Sequence, residues 1–94
     1  MNFGLSDKNV ELITGVLTDC GATKAAVFGS RAKGNFRYNS DIDIAVWGNV
    51  RIGHILTELD ELPMPYKFDV VSYETIKNDK LREHIDRVGK PLID

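Results

Sequence analysis

The stretch Val27–Trp47, VFGSRAKGNFRYNSDIDIAVW, decides how this chain is read. It closes on a strand-like run in which Asp41, Asp43, Ala45 and Trp47 alternate with Ile42, Ile44 and Val46. Strand side chains alternate with a period of two, so the isoleucines and Val46 face a core while both carboxylates share the other side. Like charges held together repel unless a cation compensates. Upstream, residues 25–29 (AAVFG) read as a short buried strand ending in glycine, SRAKG as a turn or two of helix, and NFRYNS as loop.

Outward from this stretch, Val10, Ile13, Leu17 and Cys20 fall at helical spacing, widened by Leu12 and Val16. Ser6 or Asp7 suits the helix start and Gly21 its left-handed end. Ile52, Ile55, Leu56 and Leu59 form a second helical stripe, stopped by Pro63 and Pro65. KFDVV follows as a strand with Phe68 and Val70 toward the core and Asp69 on the opposite side. A last helix is predicted from about Ile76 to Val88, with Leu81, Ile85 and Val88 inward and Gly89 at its end. KPLI then offers a short edge strand that tolerates Pro91. The predicted fold is α/β (α+β): a small mixed sheet with helices on one face. The strands joined through the second long helix should be parallel neighbours by the right-handed crossover rule. That rule brings Asp69 beside Asp41 and Asp43.

Three aspartates with only oxygen to offer point to a hard cation, Mg²⁺ or Mn²⁺, rather than zinc. Two such ions can clamp the attacking and departing oxygens of an in-line phosphoryl displacement. Asp41 and Asp43 suit bridging a metal pair from one side. Asp69 suits holding the ion that activates the nucleophile, or accepting its proton. Gly29 allows close backbone approach to a phosphate, and Ser30 opens a short helix whose N–H groups and hydroxyl suit an anion. Arg31 and Lys33 add cationic charge for a triphosphate, in directions the sequence leaves open. GSRAKGNF has Walker-A glycine spacing, but Asn35-Phe36 stands where that loop needs Lys-Ser/Thr.

Gly29-Ser30, ten residues, then Asp41-Ile42-Asp43 resembles the Gly-Ser-x10-Asp-x-Asp signature of the polymerase-β-like nucleotidyltransferase superfamily. The fuller string GSRAKGNFRYNSDIDIAV looks like the minimal nucleotidyltransferases, and the similarity covers essentially the whole chain. One departure is Lys33, where arginine is usual. The resemblance implies AMP transfer from ATP with release of pyrophosphate. It assigns Ser30 to the nucleotide phosphates, Asp41 and Asp43 to the metals, two Mg²⁺ (or Mn²⁺), and Asp69 to the catalytic metal or base. Gly29 and Arg31 join Ser30 as expected nucleotide-binding residues on the reading of the turn given above. It also implies a partner, a helical HEPN-type toxin carrying the acceptor tyrosine, with this chain as antitoxin. The alternatives are a small-molecule transferase of aminoglycoside-modifying type and an antitoxin that acts by binding alone. Every segment is taken up by the catalytic fold, so the acceptor is expected on another chain, in a homo- or hetero-oligomer.

Ninety-four residues, 43% apolar and 28% charged, describe one ordinary globular domain spanning 1–94. A net charge of −2 gives no reason to expect direct nucleic-acid binding. No segment reads as a signal peptide or membrane span, so a cytoplasmic setting is expected. Cys20 reads as a small core residue. Trp47 reads as core or edge packing in preference to stacking a base. Phe36, Arg37 and Tyr38 are equally readable as pocket lining or loop anchors, and His54 and His84 as solvated helix residues.

Overall fold

The computed structural model describes residues 3–93. Ser6 begins the first helix, α1 (Asp7–Asp19): its Oγ accepts the Asn9 N–H at 3.1 Å, a cap that stabilises by about 1 kcal/mol. Ile13 and Leu17 are fully buried along one side of α1, and Gly21 follows it with a left-handed φ of 95°. Strand β1 (Lys24–Phe28) leads straight into the short helix α2 (Gly29–Lys33), which stops at Gly34 with φ 85°. Strand β2 covers Ile42–Trp47, α3 covers Ile52–Asp60 and β3 covers Phe68–Ser72. A single 3-10 turn, Tyr73–Thr75, precedes α4 (Asp79–Val88), and β4 (Lys90–Ile93) closes the chain's described part.

The four strands form one sheet in the order β3-β2-β1-β4. β1 is antiparallel to both neighbours, whereas β2 and β3 are parallel, as a crossover through α3 requires. Ile42, Ile44 and Val46 sit at 0% exposure under Ile13 and Leu17 of α1 and Ile55 and Leu59 of α3. This is the main core.

Two expectations are corrected. Helices do not lie on one face only: α1 and α3 share a face, but α4 packs on the other, where Ile85 joins Phe28 and Ala45 in a second core. Leu81, Val88, Val71, Tyr73 and Trp47 pack around that cluster. The four residues from Ala25 to Phe28 are all buried, the continuous apolar run of a strand covered on both sides. The last helix also starts later than Ile76, at Asp79. Asn78 Oδ1 caps it by accepting the Lys80 and Leu81 N–H groups at 3.0 and 3.3 Å, and Ile76 lies in extended chain after the 3-10 turn. Among the described residues, no helix is long and apolar enough to cross a membrane.

Candidate active site

The sheet register decides which carboxylates meet. Asp43 in β2 is the direct cross-strand partner of Asp69 in β3, and on its other side of Phe28 in β1. Ile42 donates its N–H to the Lys67 carbonyl at 2.9 Å, which joins the entries of the two acidic strands. Asp41 lies one residue before β2 begins rather than within it. Asp41 and Asp69 are exposed, and Asp43 is half-buried.

Burial pushes the Asp43 carboxyl above the ordinary aspartate range, and the charges of Asp69 and Asp41 push it further. Both neighbouring carboxylates therefore act on Asp43 electrostatically. Among the described residues, no three His, Cys, Asp or Glu side chains are drawn into a ready-made metal cage. Asp43 is flanked by two charges rather than clasped by them. Exposed, all-oxygen carboxylates around a half-buried one are the donor set a hard divalent cation takes. The chemistry of the residues fits such an ion.

Gly29 stands against this centre with φ 71°, in the left-handed region. A β-carbon there would collide with the Asp43 carboxylate, so the glycine makes room for an acid as well as for a tight turn. Ser30, next in the chain and half-buried, opens α2. Its carbonyl accepts the Gly34 and Asn35 N–H groups at 3.0 and 3.2 Å, which closes α2 at its C-terminal end.

Arg31 does not go where a triphosphate contact would need it. Its side chain is only 2% exposed, and the guanidinium donates to the carbonyls of Phe3 (2.8 Å), Tyr38 (3.1 Å) and Ser40 (2.9 and 3.2 Å). The rings of Phe36 and Tyr66 each lie 5.0 Å from its central carbon. With its donors bound to backbone and its faces covered, it has no reach toward a phosphate. Lys33 remains exposed on α2.

The aromatic residues divide. Phe36 anchors the loop against Arg31, while Tyr38 is 87% exposed. Trp47 stacks on Tyr73 with centroids 4.6 Å apart, and Lys24 covers its indole at 4.6 Å. It is a packing residue at the far end of β2 from Asp43. The Tyr73 hydroxyl donates to Asp86 at 2.6 Å, and that hydrogen bond raises its pKa. A cavity of about 340 Å³ opens nearby, lined by Lys24, Ala26, Trp47, Ile85, Asp86, Gly89 and Pro91. It shares the carboxylate face, but Asp41, Asp43 and Asp69 do not line it. His84 is not solvated as its helical position suggests but half-buried, edge-on to Phe28 with centroids 6.1 Å apart. Phe28 precedes Gly29 and pairs with Asp43, so α4 brings an imidazole to the border of the site. Nothing in the local spacing of His84 announces this, because it follows from where α4 docks.

The family model for polymerase beta nucleotidyltransferases matches residues 13–94. Among solved structures, a toxin–antitoxin complex with AMP-PNP contains a chain 25% identical to this one, at a TM-score of 0.75. The match covers 89% of this chain and 72% of that one. A structure described as a minimal nucleotidyltransferase is 26% identical, with a TM-score of 0.75, covering 97% of this chain and 96% of the other. A mutant MntA-HpeT toxin–antitoxin structure, 21% identical with a TM-score of 0.71 over 88% of this chain and 70% of that one, shares the fold. A search of curated protein sequences finds no match.

Proposed function

The chain belongs to the polymerase beta nucleotidyltransferase family, and from that premise we propose that it transfers AMP from ATP to a protein hydroxyl. The acceptor in this reading is a tyrosine of a helical HEPN-type toxin, met in the cytoplasm, and the chain is the antitoxin. The observation that carries the reading is the pairing of Asp43 with Asp69, with the Gly29-Ser30 turn pressed against Asp43. The likeness to a toxin–antitoxin structure containing AMP-PNP supports both the nucleotide and the class of partner.

Asp41, Asp43 and Asp69 would hold two Mg²⁺ or Mn²⁺, which supply charge neutralisation on the phosphates and a more acidic acceptor hydroxyl. Ser30 Oγ and the first N–H groups of α2 donate to phosphate oxygens, a role that orients the chain of phosphates. The acceptor oxygen attacks the α-phosphorus; a new O–P bond forms as the bond to the β-phosphate's bridging oxygen breaks. Pyrophosphate leaves. Asp69, exposed at the edge of the sheet, takes the hydroxyl proton and passes it to water.

The test is intact-mass spectrometry of a co-encoded helical protein incubated with this chain and Mg-ATP. The expected result is an AMP adduct on the partner with wild type and none with Asp41→Asn/Asp43→Asn. An adduct on a small alcohol instead would mean a small-molecule transferase. Neutralisation of the partner by the double variant would mean that binding alone suffices.

A further inference from the structure

We propose that Arg31 is the positioning residue of this site, setting where the two acidic strands begin and so how Asp41 and Asp69 stand about Asp43. The inference rests on reading the three aspartates as cation ligands.

Arg31 gathers segments that are far apart in sequence. Nε and Nη2 both donate to the carbonyl of Ser40, the residue immediately before Asp41. Nη2 also holds Tyr38, and Nη1 holds Phe3. Ser40 is tied a second way, its Oγ accepting the Arg37 N–H at 2.8 Å. On the approach to the other strand, Tyr66 lies against the guanidinium and immediately precedes Lys67, whose carbonyl receives the Ile42 N–H. Both strand entries therefore lean on one side chain. Phe3 adopts a left-handed φ of 60°, a conformation a large side chain rarely takes, and its carbonyl is bound by Arg31.

A charge this buried, with no carboxylate among its hydrogen-bond partners in the described residues, is costly unless its donors are satisfied. The planar guanidinium satisfies them by spanning three carbonyls and presenting its flat faces to two rings, which an ammonium cannot do. Arg31 touches none of the three aspartates by hydrogen bond. It acts through Ser40 and through the Tyr66–Lys67 segment.

The test uses Arg31→Lys on the full chain, with two readouts apart from activity. Mn²⁺ binding by calorimetry should weaken about 10- to 100-fold, as when a group supporting a metal ligand is lost. Hydrogen exchange at the Ile42 amide should quicken about tenfold or more, while the amides of α1 keep their wild-type ranking. Ile85→Ala, destabilised in the second core, should retain wild-type Mn²⁺ affinity, separating positioning from general loosening. Should Arg31→Lys fail to fold, Tyr66→Leu keeps the guanidinium and takes the same measurements, with smaller shifts in the same direction expected. A folded variant with wild-type Mn²⁺ affinity and unchanged Ile42 exchange would overturn the proposal. If wild type itself takes up no Mn²⁺, the metal reading falls; the Ile42 exchange then still decides whether Arg31 sets the strand entries.

Discussion

The carboxylate of Asp43 occupies the space in which residue 29 would carry its β-carbon, and Gly29 leaves that space open. The turn after β1 and the acid of β2 are thus one packing unit. Spacing along the chain links the two residues only as a pattern; the fold links them by contact.

Gly29→Ala tests that contact. The methyl group meets Asp43 and the backbone must hold φ 71°, at a cost of about 1–2 kcal/mol for the conformation alone. Urea denaturation should show at least that loss. AMP transfer should fall more steeply than stability, because the displaced group is Asp43 itself.

Asp43→Asn should separate stability from activity. Burial and two neighbouring carboxylates raise the folded-state pKa of Asp43, so between its ordinary and its raised value the folded state binds more protons than the unfolded. This contribution to stability therefore falls as pH rises through that interval and stays lost above it. Removing the charge relieves the penalty, so at pH 7 the variant should melt at or above the wild-type temperature. Transfer should nevertheless drop on the order of a hundredfold or more, since a ligand matters at least as much as a group behind it. A variant that melts lower at pH 7 and higher at pH 3 than wild type would contradict the sign.

Trp47→Phe should leave the apparent KM for ATP unchanged. The indole stacks on Tyr73 beneath Lys24, away from the aspartates. As the only tryptophan of the chain, it also gives a direct optical check. Its emission should respond to unfolding of α4 and be insensitive to Mg-ATP.

Ile85→Ala removes the centre of the second core, where Ile85 is 3% exposed against Phe28 and Ala45. The expected loss is about 2–4 kcal/mol by chemical denaturation. For a domain of this size that lowers the melting temperature by at least about 8 °C. A loss well under 1 kcal/mol would mean that α4 is not needed to cover this face.

The helical stripe on α1, the strand alternation at Ile42–Val46 and the turn glycines could be read directly, because each depends on a short period or a local dihedral preference. The parallel pairing of β2 and β3 was also legible, since the handedness of a crossover restricts where β3 can go. The second core was not. Leu81, Ile85 and Val88 announce a buried stripe on α4 but not which face of the sheet receives it.

The same division runs through the site. Parity along each strand was enough to put Asp43 and Asp69 on a common side, because alternation is a property of the extended backbone itself. Arg31 shows the opposite case. Beside a phosphate-binding pattern a basic residue looks like a phosphate ligand, yet its partners are the carbonyls of Phe3, Tyr38 and Ser40 and the ring of Tyr66. Those groups converge only after the chain has folded, and a flexible side chain follows whichever buried acceptors tertiary packing leaves within its reach.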